Sequence, residues 1–229
     1  MKLPLSDRLL ACAGFVAPGD RVADIGCDHG YLSIHLLTQG IARSIIASDV
    51  NEGPLQSAMR NARKFGVADK ISFYLSDGVQ NIPRDFDTMV CAGMGGDTMI
   101  HILEAAPWMK KEQYRLILQC QSKTPMLRQY LFEQGWQINR ETVLRDGRFL
   151  YTIMEVIWQP DWEKQSIGQF YFSSALLNDA SKDVPAYYRW VVEGLRITTA
   201  HQDIPEKKQA LEELTALADK FPWLKEDVK

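Results

Sequence analysis

Apolar and polar positions follow two alternating rhythms through the first two thirds of the chain. Short apolar runs rich in Val and Ile predict strands at 21–24, 44–49, 71–75, 87–92 and 115–120. Between them, apolar residues spaced three and four apart predict helices at 31–37, 53–65, 97–106 and 125–134. A further helix runs to about Gly14, with Ser6 as its N-cap and Leu9, Leu10 and Ala13 on one face. Strand–helix alternation of this kind predicts a parallel sheet with helices on both faces. The rhythm then changes. Residues 136–144 and 149–158 both read as strands, with Asp146-Gly147 as the hairpin turn between them. A parallel sheet closed by an antiparallel hairpin is the seven-stranded arrangement of class I methyltransferases, a Rossmann-like α/β fold.

Beyond Pro160 the strands stop. Ile167, Phe170, Tyr171, Ser174 and Leu177 fall on one helical face. Asp183 is placed to cap a second helix with Pro185 in its first turn and Tyr188, Val191, Val192 and Leu195 on one stripe. A third helix follows Pro205, with Leu214, Leu217, Ala218 and Phe221 at the same spacing. The expected organisation is a methyltransferase domain over 1–160 and a small helical, coiled-coil-like domain over 161–229.

The chemistry centres on RVADIGCDHGY, Arg21 to Tyr31, a strand, tight turn and helix start with glycines at 26 and 30. A dinucleotide site needs glycines spaced GxGxxG so that a pyrophosphate can lie on the helix end. Here the glycines are four apart and the turn carries Asp24 and Asp28, which repel a pyrophosphate and suit a cation. Asp49 ends the next strand, where a carboxylate accepts from ribose hydroxyls, and Asp77-Gly78 follows the third, within reach of an adenine amine. These features point to S-adenosylmethionine. The fourth strand delivers Gly93-Met94-Gly95-Gly96 to the crevice where ligands bind in such sheets. The Asn/Asp-Pro-Pro-aromatic box of exocyclic-amine methyltransferases is missing, and no cysteine is placed to attack a pyrimidine, which leaves a ring nitrogen as the fitting acceptor.

Composition narrows the class further. The 229 residues are 46% hydrophobic and 24% charged, with no apolar run near a membrane span and no signal-peptide pattern at MKLPLSDRLL. A cytoplasmic protein is expected, and four isolated cysteines, Cys12, Cys27, Cys91 and Cys120, suggest no metal site. Net charge is −3, with 17 basic and 17 acidic residues up to Pro160 and 9 against 12 beyond it. RNA contact therefore needs local patches: Arg60, Arg63 and Lys64; Lys110, Lys111 and Arg115; or Lys123 with Arg128.

The motifs LSDRL, ADIGCDHGYL, ASDVNEGPLQSA, SDG, AGMGG and LRQYLFEQGW occur in this order. In them the chain resembles the TrmK family, bacterial tRNA methyltransferases that form N1-methyladenosine at position 22. The resemblance implies a near-monomeric enzyme with a C-terminal coiled-coil domain, S-adenosylmethionine as cofactor, tRNA as partner, and no membrane or metal. It places Asp24, Gly26, Cys27, Asp28, Gly30, Tyr31, Asp49, Val50, Asp77, Gly78, Gly93 and Met94 as cofactor-binding residues. Asp28, His29, Gly93, Met94 and Gly95 are the expected catalytic group, and Arg8, Gln119 and Arg128 the expected substrate contacts. Two departures stand out: Ser33 where the family commonly has Pro, and Gln119-Cys120-Gln121 where it commonly has Gln-Pro-Asn. In the implied reaction N1 of a neutral adenine attacks the methyl in line, without a dedicated base, after the nucleotide leaves the tRNA stack. Two other readings remain open here: a methyltransferase acting on another RNA or a small molecule, and a cofactor-binding RNA module without turnover. The C-terminal helices are expected to help grasp tRNA, provided Lys182, Arg189, Arg196, Lys207 and Lys208 gather on one side.

Overall fold

A computed structural model describes residues 3–160 and 164–226. Helix α1 (Asp7–Ala13) precedes β1 (Arg21–Ile25), α2 (Tyr31–Thr38), β2 (Ser44–Asp49), α3 (Glu52–Lys64) and β3 (Ile71–Leu75). Then come β4 (Thr88–Gly95), α4 (Gly96–Glu104), β5 (Arg115–Ser122), α5 (Thr124–Glu133), β6 (Trp136–Asp146) and β7 (Phe149–Trp158). The seven strands form one sheet in the order β3-β2-β1-β4-β5-β7-β6. Strands β1 to β5 are parallel, and β7 is inserted antiparallel between β5 and β6.

Alternation along each strand sorts its side chains between two cores. Ala23, Ile46, Met89, Cys91, Leu116 and Leu118 face one cluster, roofed by α4 and α5 through Met99, Ile102, Leu127 and Leu131. Val22, Ile45, Val90 and Ile117 face the other, covered by α1, α2 and α3 through Cys12, Leu32, Leu36, Leu55 and Ala58. The main irregularity is in β4. Its register with β5 jumps between Ala92 and Met94, leaving Gly93 as a bulge at φ 88°. A bulge re-aims the neighbouring side chain, and only glycine takes this angle without strain. The strand thus runs through Gly95, past the expected end at 92.

After β7 the chain forms α6 (Ile167–Tyr171), α7 (Val184–His201) and α8 (Pro205–Lys220). The expected single face from Ile167 to Leu177 is broken: α6 stops at Tyr171 and a 3₁₀ turn covers Ser174–Asn178. The break has a physical cause, because Phe172 is buried against Tyr188 and the Ser173 hydroxyl donates to buried Glu141. Asp183 stands at the start of α7 without a side-chain capping bond; its carboxylate pairs with Arg145 on β6 at 3.0 Å. Helices α7 and α8 form an antiparallel hairpin, tied by Tyr188 Oη donating to Leu214 O at 2.8 Å. A third apolar cluster, including Phe172, Leu176, Tyr187, Val192, Leu195 and Leu214, fills this region and includes Val143 of β6.

Candidate active site

The turn after β1 is built by main-chain bonds. The N–H groups of Gly26 and Cys27 both donate to Ser48 O on β2, at 2.8 and 2.9 Å, and Gly30 N donates back to Cys27 O. Gly26 has φ 72°, and a Cβ there would collide with the Met94 methyl, so the bulged strand β4 presses on the turn. Asp49, only 7% exposed, then fixes the loop from the neighbouring strand. Its Oδ2 accepts from Asp28 N at 3.1 Å and its Oδ1 from Asn51 N at 2.9 Å. Each carboxylate oxygen keeps a further lone pair for a ligand.

These elements surround a cavity of about 430 Å³ at the carboxyl ends of β1, β2 and β4, as the topological rule for open α/β sheets requires. Its wall includes Arg8, Gly26, Asp28, Asp49, Val50, Asp77, Gly78, Gly93 and Met94 from the expected set. Asn51, Pro54, Ser76, Thr98, Ile102 and Gln121 join them. Of these, Asn51 and Ser76 flank Asp49 and Asp77 in sequence and were open to inference from that adjacency; Thr98 and Ile102 depend on how α4 packs. A smaller cavity of about 100 Å³ adjoins it, sharing Arg8, Gly26 and Asp28, and holds Asp24, Cys27, His29 and Tyr31.

Four expected residues lie elsewhere. Gly30 lines neither cavity: a Cβ on it would meet Ala58 at 2.9 Å, so its role is close packing of the turn on α3. Gly95 is likewise outside, crowded by Asp97 and Ser122 where it starts α4. Gln119 is fully buried and acts through Arg8, accepting from its Nη1 at 2.7 Å. Arg128 is no RNA contact, being 2% exposed with its guanidinium turned inward. It pairs with Glu141 at 2.6 Å and donates to the carbonyls of Phe170 and Tyr171.

The site is acidic by virtue of its walls, with Asp28, Asp49 and Asp77 against the single base Arg8 in the larger cavity. Behind them, burial pushes the Asp24 carboxyl up to about 6, opposed by the hydrogen bond it accepts from Ser33 Oγ at 2.6 Å. Burial also raises the thiols of Cys12, Cys27, Cys91 and Cys120, which keeps all four protonated and unreactive near neutrality. Such a chamber, of a size typical for small-molecule sites and negative at its rim, fits a nucleoside carrying positive charge.

Residues 5–154 match the profile of the Methyltransferase domain family. The tRNA (adenine(22)-N(1))-methyltransferase of Bacillus subtilis is 29% identical, the match spanning 98% of this chain and 97% of that protein. The Streptococcus pneumoniae protein Sp1610, solved in complex with S-adenosyl-L-methionine, superposes with a TM-score of 0.81 at 32% identity, covering 92% of this chain and 99% of that one. The chain belongs to the TrmK family. Crystallised Bacillus subtilis TrmK, a methyltransferase for m1A22 of tRNA, agrees over 98% of this chain with a TM-score of 0.78 at 26% identity. TrmK likeness therefore runs through the helical C-terminal region. By contrast, the ribosomal protein L11 methyltransferase of Thermotoga neapolitana matches only 54% of the chain, at 29% identity.

Proposed function

We propose that this chain transfers the methyl group of S-adenosylmethionine to N1 of adenosine 22 in tRNA, giving N1-methyladenosine. The observation that carries the reading is the extent of the TrmK likeness, which includes the α6–α8 region that a generic methyltransferase domain lacks.

When bound, S-adenosylmethionine would supply a methyl group on a positively charged sulfur. Asp49 would accept from the ribose hydroxyls with the lone pairs left over from Asp28 N and Asn51 N. Asp77, beside Gly78 on the wall, would accept from the adenine amine. Together with Asp28 these carboxylates hold a negative field over a charge that migrates during transfer and is never created, so no dedicated base is required. Gly93 and Met94, re-aimed by the bulge, form the wall facing the acceptor base. Arg8, held by Gln119, offers donors to that base or its phosphate from beside Gly93. His29, half exposed with Nε2 3.7 Å from Asp28 Oδ1, lines the entrance.

The same reading divides the chain into a methyltransferase unit, 1–160, and a helical unit, 161–229, supported by an apolar cluster drawn from the helices apart from Val143 of β6 and Leu150 of β7. It makes the protein a cytoplasmic monomer. Four free cysteines support the compartment, and the large exposed apolar side chains are spread over the surface apart from Trp190 and Ile197, which share α7. No helix among the described residues is long and apolar enough to cross a membrane.

The test is an unmodified tRNA transcript incubated with labelled cofactor and mapped by nucleotide. Label at N1 of adenosine 22, lost when guanosine replaces that adenosine, is the expected result. Label elsewhere, or none, overturns the reading, and light scattering at a dimer's mass overturns the monomer.

A further inference from the structure

A second cavity, of about 300 Å³, lies between the loop joining β5 to α5 and the inner face of α7. It shares one wall residue with the methyl-transfer chamber, Gln121, so the two cavities are neighbours. Four aromatic residues contribute to its wall. Tyr151, Tyr171 and Tyr187 line it, and Trp190 stands at its edge 64% exposed, its ring centroid 5.8 Å from that of Tyr187. Its charged wall residues are Lys123, whose Nζ pairs with Asp97 at 3.0 Å, and Lys207, and no carboxylate lines it. Lys123 sits at φ 58°, a left-handed conformation rare for a non-glycine residue.

We propose that this cavity receives an unstacked nucleotide of the tRNA, a neighbour of the one delivered to the methyl-transfer chamber. The inference rests on the proposed tRNA activity. Aromatic rings stack any base, and the Lys207 ammonium matches a phosphate. When a target nucleotide leaves the stack, its neighbours lose a stacking partner, and a slot beside the active site gives one of them a replacement. Lys207 is the cation placed for this, since its α8 neighbour Lys208 pairs with Asp203 and Lys123 pairs with Asp97.

Gly194 supplies the test. It lines the cavity from α7, and a Cβ built on it meets nothing within 4 Å, so the backbone admits a side chain there and Gly194→Leu is the variant that takes up the space. The expected result is a rise of about tenfold or more in the KM and Kd for an unmodified tRNA transcript, as for the loss of one stacked base. The Kd for S-adenosylmethionine should stay unchanged and the melting midpoint equal or higher. Trp190→Ala should act in the same direction, and Trp190→Phe should restore most of the loss. Wild-type tRNA KM and Kd in Gly194→Leu overturn the proposal. A wild-type protein that binds the transcript without methylating it overturns the functional reading alone, and the binding contrast still decides this one. A wild type that binds no tRNA overturns both.

Discussion

Arg8 on α1 and Gln119 on β5, 111 positions apart, meet at 2.7 Å through Nη1 and Oε1. Their bond carries the N-terminal helix to the mouth of the cavity. It also explains why a fully buried glutamine within a central strand matters to a site it does not line. Arg8→Ala should lower tRNA methylation while leaving cofactor affinity within about threefold. Gln119→Leu should reproduce part of that loss, since a hydrogen bond to a charged group is worth about 1.5–3 kcal/mol. In a double-mutant cycle the pair should be no worse than Arg8→Ala alone; additive losses in kcat/KM would show that the two residues act separately.

Asp49 holds the cofactor turn and faces the cavity with its remaining lone pairs. Asp49→Ala should weaken S-adenosylmethionine binding by roughly 1.5–3 kcal/mol, about ten- to a hundredfold in Kd. Calorimetry on the folded variant checks this, and an unchanged Kd would remove Asp49 from the site.

Asp24 makes stability depend on pH in a particular window. Burial raises its folded pKa to about 6 from 3.8, so the folded state holds the proton more tightly than the unfolded chain does. That contribution is fully present below about pH 4, declines as pH rises to 6, and is absent above. Its size is about 3 kcal/mol, because each tenfold gain in proton affinity is worth about 1.4 kcal/mol. Asp24→Asn, which can still accept from Ser33, should therefore gain stability relative to wild type as pH climbs from 4 to 6 and hold the gain at pH 7.5. Urea denaturation at pH 4, 6 and 7.5 measures the difference. A gap between the two proteins that stays constant across these pH values would contradict the assignment.

Arg128 and Glu141 are the pair on which α5, β6 and the helical region close. Arg128→Ala leaves a buried carboxylate unpaired and should cost about 3–5 kcal/mol in urea unfolding. The double replacement Arg128→Met with Glu141→Leu should be less destabilised than Arg128→Ala, because no charge is left buried.

What the sequence showed and hid divides along a physical line. Asp24, Asp49 and Asp77 were legible because each sits at or just past a strand end, and strand ends in an alternating β/α chain converge on one crevice. Gly30 and Gly95 misled because a glycine that admits a ligand and one that admits a neighbouring helix or side chain look identical in sequence. Arg128, read as surface charge beside Lys123, was hidden for a different reason. Its burial depends on Glu141 thirteen positions later and on carbonyls past residue 169, and no local pattern reports them. Ser33, a departure from the family pattern, has a partner the pattern could not name, the carboxylate of Asp24.

The Arg128–Glu141 pair has a bearing on how such a protein can be recombined. Pro160 looks like a natural place to cut, since the sheet ends before it and the helices begin after it. Yet a chain ended there would strip Arg128 of the Phe170 and Tyr171 carbonyls and Glu141 of the Ser173 hydroxyl, opening two paired charges to water. Chimeras between relatives should accordingly fold when the crossover lies ahead of Thr124, so that α5, the β6–β7 hairpin and the helices travel from one parent. Grafts spliced at Pro160 inherit half of an electrostatic lock from each parent, and soluble yield across a set of crossover points should fall there.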